Sequence, residues 1–476
     1  MGNGRLICAL LALHALICLA LLTSRSVSVA RDGAWAQTTG LEGVHVNLIL
    51  RSSVNISPYH DLSHDATPAI YNFGFYHTYG KVAALSDPHQ PVTSTVLRFF
   101  TLVIAVIGAL VTTVIMGRYC HVPTVSLHSA IPPLVAIGTI LGPFAGWWVL
   151  TARPDLFAYT MELGGWALAD TALRRGRRDW LVAAAACFAV AIAFKQNAVG
   201  FLLAVVLVLV WNGRIRDVTP FLLLPLLTIV IGRATQGPYY FQHVLGAVSS
   251  TELSLRDGAA QAAQALSVGG GVFLCSLAVA PVVRTAGAPG VPPVVPFVTS
   301  AILGVLQLAR FGSSRNYLIG AYVAGAAVVL QAATSELRGR RWLVWLLAAG
   351  IAYQCMIAAS YFVPGSPGRA TLPYSPVESL PGRPGSDDTG GPIFTDDAWS
   401  SVPWLSGRVG IETLDGTVYP FMVANGLLAD TIEARIARRA YSSLFVRDPH
   451  FGELALRAGY SRIDLRNGVG WFKITR

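Results

Sequence analysis

The sequence predicts an all-α polytopic membrane protein with about eleven transmembrane helices, followed by a small α/β domain. Composition indicates a membrane protein, because 53% of the 476 residues are hydrophobic and only 13% are charged, about half the charged fraction of soluble domains. Patterning indicates many spans, because apolar runs recur that approach the roughly 20 residues a helix needs to cross a bilayer. The predicted spans are 6–23, 96–116, 124–150, 156–173, 180–194, 197–211, 218–236, 262–283, 291–309, 316–333 and 342–361.

One of these runs is interrupted. Residues 180–211 are too many for a single span, and the polar sequence FKQN stands at 194–197 in their middle. We therefore predict two short helices that meet at a polar turn on the outer side of the membrane. Such breaks are tolerated at membrane depth only where the backbone faces protein or water.

The charge balance agrees with a membrane topology. The chain carries 35 basic and 25 acidic residues, a net charge of +10. Cytoplasmic loops of membrane proteins collect Lys and Arg, so this balance does not indicate nucleic-acid binding. With a cytoplasmic N-terminus, the Arg-rich connections fall inside the cell, and an odd number of spans places the C-terminus outside. The prediction is a multi-pass protein of the inner or plasma membrane.

The first apolar run, 6–23, has two interpretations. It is followed by Ala34-Trp35-Ala36, which has the small-x-small pattern of a signal-peptide cleavage site. That site lies well beyond the apolar run, which favours a retained span. Both interpretations place residues 24–95 outside the cytoplasm.

The remaining organisation follows from composition. Residues 1–362 form the predicted transmembrane domain, and 363–392 form a linker rich in Pro and Gly. Residues 393–476 alternate strand-like and helical patterns, ending in a hairpin with Asn467-Gly468 at its turn. The six cysteines include no CxxC pair, so no disulfide or thiolate metal site is predicted. The absence of a phosphate-binding glycine loop argues against an ATP-driven transporter.

The long loop 24–95 holds a dense group of acid and base side chains. They are Asp32, Glu42, His45, His60, Asp61, His64 and Asp65. Four cations fall at the outer ends of spans, where the orientation bias of membrane proteins disfavours them. They are Arg153, Lys195, Arg310 and Arg315. Snorkelling to lipid headgroups explains any one of them, but four in three separate turns favour a shared anion site, and phosphate is the natural ligand of such cations.

Five stretches together resemble the GT-C glycosyltransferases, in the bacterial branch related to protein mannosyltransferases and aminoarabinose transferases. The first, LEGVHVNLILRSSVNISPYHDLSHDATPAIYNFGFYHTYG (41–80), is similar to the family's acidic first loop. TARPDLFA (151–158) and AFKQNAV (193–199) are similar to its Arg-Pro-Asp and Lys-Gln turns. GSSRNYLIGAYVAGAAVVL (312–330) resembles a span led by Asn-Tyr, and PFMVANGLLADTIEARIARRAYSSLFVRD (420–448) resembles the tail domain.

The resemblance implies an inverting transferase that moves a sugar from a polyprenyl-phosphate donor to a glycolipid, an envelope glycan or a protein. It implies that a carboxylate acts as base at Glu42, where Leu41-Glu42 stands for the family's Asp-Glu, with Asp61 as second choice. It also implies that cations bind the lipid phosphate. The candidate phosphate and substrate ligands are Arg153, Lys195, Arg315, Arg310, Asp155, Gln196, Asn316 and Tyr71. Asp155 either orients Arg153 or simply begins the next helix, and Tyr71 lines a groove or joins an aromatic belt.

Other readings of the same residues remain open. His60 and His64, with Asp65, would share one face of a helix and hold a divalent cation, but the Ser and Pro residues around them disfavour a helix. We therefore predict no metal site and no certain cofactor. A lipid transporter or flippase would need polar residues deep in many spans and two related halves, neither of which the sequence contains. A non-catalytic protein that kept the fold is the third alternative.

Overall fold

The computed structural model describes most of the chain as helices. The described residues are 2–32, 42–63, 65–86, 92–120, 128–249, 251–282, 290–310, 313–335, 341–363, 392–396, 412–414, 419–466 and 469–474. The helices before the tail are α1 Gly2–Asp32, α2 Glu42–Ser53, α3 Phe73–Leu85, α4 Val92–Tyr119, α5 Ile131–Ile140, α6 Asp155–Arg175, α7 Arg178–Phe194, α8 Gly200–Trp211, α9 Thr219–Gln236, α10 Leu255–Val279, α11 Val294–Leu308, α12 Ile319–Ser335 and α13 Arg341–Ser360.

The helices confirm a multi-pass membrane protein. Within the described ranges, six helical segments are long and apolar enough to cross a bilayer. They are Arg5–Arg31, Thr93–Tyr119, Ile215–Gln236, Leu255–Val279, Arg315–Thr334 and Trp342–Ser360. The other predicted spans correspond to helices that are shorter or carry more charge, so the total of eleven stays a prediction.

The predicted break near residue 195 is confirmed. Helix α7 ends at Phe194 and α8 begins at Gly200, with a non-helical turn between them. The single span predicted over 124–150 is wrong, because α5 ends at Ile140 and a short 3₁₀ helix, Gly146–Leu150, follows a turn. Gly146, the first residue of the 3₁₀ helix, has a φ of +61°, a left-handed conformation that favours glycine. Hydrophobicity alone does not register such a turn.

The first loop is shorter than predicted and is itself folded. Residues 24–32 continue α1 and residues 92–95 already belong to α4. Between them lie α2 and α3, and ten of the twelve residues of α2 are buried. Asn72 begins α3 by accepting a hydrogen bond from the Phe73 backbone N–H at 2.9 Å, as helix N-caps do. The polar loop of the sequence is therefore a packed layer over the helix ends.

Close packing ties this layer to the bundle below. A Cβ atom on Gly74 of α3 would lie 2.7 Å from the carbonyl oxygen of Ala193, near the end of α7. A Cβ atom on Gly165 of α6 would lie 2.7 Å from the ring of Phe188 in α7. Small residues at helix interfaces allow such approach in membrane proteins. Helix α7 is therefore held between α6 and the first loop.

The tail folds into a small sheet with helices. The strands are β1 Ile393–Thr395, β2 Glu412–Thr413, β3 Ser443–Val446, β4 Tyr460–Arg466 and β5 Val469–Ile474, in the order β2-β1-β3-β5-β4. β1 pairs in parallel with β2 and β3, whereas β3–β5 and β4–β5 are antiparallel. The helices are α14 Tyr419–Ala424, α15 Ile432–Ala437 and α16 Pro449–Arg457. The predicted strands, helices and closing hairpin are present, and its Asn467-Gly468 turn lies outside the described residues.

Candidate active site

Three separate segments meet around the carboxylate of Asp155, the first residue of α6. Its Oδ1 atom accepts hydrogen bonds from Lys195 Nζ at 2.5 Å and from Asn316 Nδ2 at 2.6 Å. Lys195 lies in the turn between α7 and α8, and Asn316 in the 3₁₀ turn before α12. All three side chains are buried. Turns up to 161 residues apart in the chain therefore converge on one carboxylate.

The charges of Asp155 and Lys195 are stabilised by the helix ends at which they lie. Asp155 occupies the first turn of α6, where backbone N–H groups carry partial positive charge. Lys195 is the C-cap residue of α7, where backbone carbonyls carry partial negative charge. Its ammonium group also lies 4.3 Å from the centre of the Tyr317 ring, a cation–π contact. The lysine is held in place by a carboxylate, a helix end and an aromatic face.

A second buried carboxylate supports the turn that carries Lys195. Glu162 of α6 accepts a hydrogen bond at 3.2 Å from the backbone N–H of Phe201, in the first turn of α8. A carboxylate at a helix N-terminus is stabilised by the partial positive charge there. Glu162 therefore anchors α8 to α6 directly beside the turn. Sequence reasoning missed it because a carboxylate inside an apolar run carries no sign of its partner.

The first loop closes over this cluster. Tyr71 is buried beside the turn that carries Arg153, and burial raises the pKa of Tyr71 well above its usual value. The positive charge of Arg153 opposes that change in pKa, and the negative charge of Asp155 adds to it. The ring of His45, from α2, lies 4.6 Å from the ring of Tyr71 between centroids. Arg153, Asp155, Tyr71 and His45 therefore share one buried neighbourhood.

Glu42 is buried and bound by two different groups. Its two carboxylate oxygens accept hydrogen bonds from Arg98 Nε at 2.8 Å and Arg98 Nη2 at 2.5 Å. Oε1 also accepts the backbone N–H of Ala152 at 2.9 Å, and Glu42 is 1% exposed. The guanidinium and the amide stabilise the charged form of Glu42 and tie it to the turn that leads to Arg153. That Glu42 acts as the base stays a prediction.

Two solved structures share this architecture over nearly all of the chain. ArnT from Cupriavidus metallidurans bound to undecaprenyl phosphate matches with a TM-score of 0.57 and 11% identity, over 99% of this chain and 98% of ArnT. The oligosaccharyltransferase AglB from Archaeoglobus fulgidus, in complex with an inhibitory peptide and a dolichol-phosphate, matches with a TM-score of 0.53 and 12% identity, over 98% of this chain and 74% of AglB. No family model and no curated protein sequence matches the chain.

Both structures belong to the GT-C superfamily. The chain has the GT-C fold. The buried cluster lies where the first loop covers the ends of α6, α7 and α12. The likeness at this level of identity establishes the fold alone.

Four predicted site residues lie elsewhere in the GT-C fold. Arg310 Nη1 donates to the carbonyl oxygen of Val248 at 2.8 Å, which ties it to the connection between α9 and α10. Arg315 Nε donates to the Phe144 carbonyl oxygen at 3.4 Å. Its guanidinium lies 5.7 Å from the Trp148 ring, so it faces the 3₁₀ helix after α5. The remaining two are Gln196 and Asp61.

Gln196 and Asp61 brace the loop instead of meeting Asp155. Gln196 Nε2 donates to the carbonyl oxygens of Ile70 at 2.9 Å and Val244 at 3.3 Å. Asp61 Oδ1 accepts the backbone N–H of Ser63 at 2.9 Å and so closes a turn. That Gln196 and Asp61 take part in the reaction stays a prediction, and proximity along the chain did not reveal which polar residues share an atom.

One histidine of the loop, His60, lies beside a carboxylate. His60 lies 3.5 Å from Asp65, which also pairs with Arg51 at 2.7 Å. Burial alone would raise the pKa of Asp65, but the charges of Arg51 and His60 outweigh it and hold that pKa well below its usual value. Among the described residues no group of three metal-ligating side chains is present, and His64 and Leu41 lie outside them. The geometry at Asp65 is that of an ion pair.

His243 and Asn72 also hold the loop, and sequence reasoning missed both. The Ala69 backbone N–H donates to His243 Nδ1 at 2.8 Å, and His243 Nε2 donates to the His60 carbonyl oxygen at 2.7 Å. Asn72 Nδ2 donates to the Ile192 carbonyl oxygen at 2.8 Å. These partners are more than a hundred residues away in the chain, so no local pattern indicates them.

The tail domain forms hydrogen bonds with the same loop. Glu412 Oε1 accepts hydrogen bonds from the Ala66 backbone N–H at 2.7 Å and from Arg435 Nη1 at 2.5 Å. Arg435 Nη2 donates to the Ser63 carbonyl oxygen at 2.9 Å. Burial, and next the negative charge of Asp65, raise the pKa of Glu412. The segment that leads to Tyr71 is therefore held from one side by the helices and from the other by the tail.

Proposed function

We propose that this protein is a membrane glycosyltransferase that moves a sugar from a polyprenyl-phosphate donor to an acceptor outside the cytoplasm. The acceptor is a glycolipid, a cell-envelope glycan or a protein. The observation that carries the proposal is the buried cluster of Asp155, Lys195 and Asn316 beside Arg153, under a folded loop. Cations buried at the end of membrane helices are costly and mark functional sites.

The comparisons support the donor class. ArnT in the matching structure is bound to undecaprenyl phosphate, and AglB to a dolichol-phosphate. Both ligands place one phosphate on a long isoprenoid chain. A site with Lys195 and Arg153 at the ends of apolar helices suits a ligand with an anionic head and an apolar tail.

The orientation follows from charge. With the N-terminus in the cytoplasm, the Arg-rich connections such as 174–179 and 336–341 lie inside, as the positive-inside rule requires. The first loop, the Asp155 cluster and the tail domain then lie on the extracytoplasmic side. Transfer would occur there, at the surface of the bilayer.

The side chains of the cluster have separate roles in the proposed reaction. Arg153 and Lys195 bind the donor phosphate and stabilise the negative charge that grows on it as the bond to the sugar breaks. Asp155 holds Lys195 through Oδ1, and within the described residues its Oδ2 has no hydrogen-bond partner. Oδ2 is therefore available to a sugar hydroxyl. Attack by the acceptor from the opposite face inverts the anomeric carbon.

Binding of undecaprenyl phosphate tests the anion site directly. The purified full chain in nanodiscs would be compared with Lys195→Met, and with Lys81→Met as a control on the exposed surface of α3. Loss of one cation from a buried anion site costs about 2 kcal/mol or more, roughly thirtyfold in affinity. We expect that loss for Lys195→Met and none for Lys81→Met. Equal affinities for all three proteins would contradict the site.

Transfer distinguishes an enzyme from a transporter. Wild-type protein would be incubated with radiolabelled polyprenyl-phosphate hexoses and pentoses and with envelope membranes as acceptor. We expect label to move from the lipid to an envelope component. Movement of intact labelled lipid across the bilayer, with no release of sugar from phosphate, would identify a flippase instead.

A further inference from the structure

His45 is a buried side chain with unmet hydrogen-bonding capacity. It is 0% exposed, and neither of its ring nitrogens has a hydrogen-bond partner among the residues that the structure describes. The large majority of buried side-chain polar atoms in proteins do have one. A buried donor or acceptor left unsatisfied costs about 1–3 kcal/mol. Such a group requires an explanation, and a hydrogen bond to a substrate atom would provide one.

The surroundings of His45 direct it toward the proposed site. It stands three residues after Glu42 on α2, and residues at that spacing share a helix face. Glu42 is bound to the backbone of Ala152, so this face of α2 meets the turn that carries Arg153. The Tyr71 ring lies 4.6 Å from the imidazole between centroids, with the two planes tilted by 44°, and the Phe75 ring approaches edge-on at 6.3 Å. The ring is thus fixed in orientation while its nitrogens stay available.

Burial and the nearby charge of Arg153 lower the pKa of His45 well below its usual value. The imidazole is therefore neutral near pH 7 and presents one lone pair and one N–H. A hydroxyl group, which both donates and accepts a hydrogen bond, complements that pair of atoms.

We propose that His45 is the proton acceptor of the transfer reaction, an assignment that rests on the glycosyltransferase function proposed above. The acceptor oxygen forms a bond to the anomeric carbon while the bond from that carbon to the phosphate oxygen breaks. The bonding electron pair leaves with the polyprenyl phosphate. The hydroxyl proton moves to the imidazole nitrogen and then to the released phosphate, so the products are the glycosylated acceptor and a protonated polyprenyl phosphate.

The alternatives for this proton are less suited. Glu42 is held by Arg98 and Ala152. Asp155 is held by Lys195 and Asn316, which stabilise its negative charge and oppose its protonation. The neutral imidazole of His45 can accept a proton without first losing a hydrogen-bond partner.

The same geometry couples the base to the donor. In the empty site the charge of Arg153 disfavours an imidazolium at His45. A phosphate bound to Arg153 offsets that charge, so donor binding raises the basicity of His45. Proton transfer to His45 then becomes favourable only when a donor is bound, and His45 stays unprotonated in the empty site.

Titration of His45 with and without undecaprenyl phosphate tests the assignment. The full chain in nanodiscs would be labelled with ¹³C at the histidine ring, and His45→Gln would identify the signal among the ten histidines. We expect undecaprenyl phosphate to raise the pKa of His45 by about 1 unit or more, the effect of an opposite charge nearby. Binding of the lipid without that shift would overturn the role of His45 alone. Failure of the wild-type protein to bind the lipid would overturn the proposed function, and this assignment with it.

Kinetics separate a base from a structural residue. For the labelled donor that the wild-type protein uses, His45→Gln should lower kcat by about 10²–10⁴-fold, the usual contribution of general base catalysis. Donor KM and thermal stability should change little. His77→Gln, the same change at an exposed position of α3, serves as the matched control. A kcat for His45→Gln within about tenfold of wild type, or a loss confined to KM, would reject the proposal.

Discussion

Two buried aspartates at opposite ends of α6 show how similar residues serve different purposes. Near the C-terminal end of α6, Asp170 Oδ1 accepts hydrogen bonds from Tyr119 Oη at 3.2 Å and from the Val291 backbone N–H at 2.9 Å. Its Oδ2 accepts from Arg174 Nε at 2.9 Å and Arg118 Nη1 at 3.4 Å. Both oxygens are engaged, and the carboxylate joins α4, α6 and the segment before α11. Asp170 is a structural junction.

At the N-terminal end of α6, both described partners of Asp155 bind the same oxygen. Lys195 and Asn316 both donate to Oδ1, and Oδ2 has no hydrogen-bond partner among the described residues. A fully satisfied buried polar network specifies a unique structure, whereas a buried polar atom without a partner requires an explanation, and a catalytic role is one. The same contrast separates two buried histidines, because His243 uses both nitrogens and His45 uses neither among the described residues.

The largest expected effect breaks the pair at the N-terminal end of α6. The double variant Asp155→Asn/Lys195→Met should lower the transfer rate by about 10²–10³-fold, since it removes the cation that stabilises the leaving phosphate. Its stability should change little, because replacing both members of a buried ion pair is often neutral. Transfer rate per folded molecule and thermal unfolding would be measured together. Full activity in this double variant would remove Asp155 and Lys195 from the site.

The opposite outcome is expected near the C-terminal end of α6. Asp170→Ala should lower the free energy of unfolding by about 3 kcal/mol, because it leaves two arginines and a buried backbone N–H without their carboxylate. Activity per folded molecule should be retained. Asp179→Ala is the control, since its pair with Arg177 is exposed and such pairs contribute about 0–1 kcal/mol. A stable but inactive Asp170→Ala protein would contradict the structural role of Asp170 and indicate a role in the reaction.

Glu42 extends the comparison to a third buried carboxylate, engaged as Asp170 is. Glu42→Gln should lower the free energy of unfolding by about 2 kcal/mol, the value of a charge-assisted hydrogen bond, through weaker contact with Arg98. Its kcat should fall by no more than about tenfold, well short of the loss of a general base. Unfolding in mixed micelles and the donor transfer assay would measure the two effects. A kcat loss of about a thousandfold or more would restore Glu42 as the base.

The smallest effect concerns pH and His243. Burial, and next the charge of His60, lower the pKa of His243 to about 3, so the folded protein keeps it neutral while the unfolded chain binds a proton near pH 6.5. Its contribution to stability is therefore complete above pH 6.5 and is lost as pH falls toward 3, by about 1.4 kcal/mol per unit. Thermal unfolding between pH 7 and 5 should show this slope, and His243→Gln should reduce it. An unchanged slope in the variant would assign the pH effect to other groups.

Much of the architecture was predictable from the residues. Apolar runs predict the membrane helices because each span must satisfy its own backbone and expose apolar side chains to lipid. The polar FKQN sequence predicts the break between α7 and α8, and that break is observed. The turn near Gly146 was not predicted, since an apolar window is insensitive to a single left-handed residue.

The candidate site was predictable only as a neighbourhood. Four polar residues at helix ends were selected from the sequence, and the fold brings them together; they are Arg153, Asp155, Lys195 and Asn316. Arg310, selected on the same grounds, contacts the connection after α9 instead. The charge of an arginine is visible in a sequence, but the direction in which its guanidinium points is not.

Local composition and periodicity therefore decide three properties of this chain: its insertion in the membrane, the positions of most helices in the sequence, and the sheet in its tail. All three depend on neighbours along the chain. The roles of Glu42 and His45 depend on Arg98, Ala152 and Tyr71, and Ala152 stands 110 residues from Glu42. Folding brings such groups within 3 Å or leaves a nitrogen without a partner. That long-range packing determines which buried polar side chain holds the structure together and which remains available for chemistry.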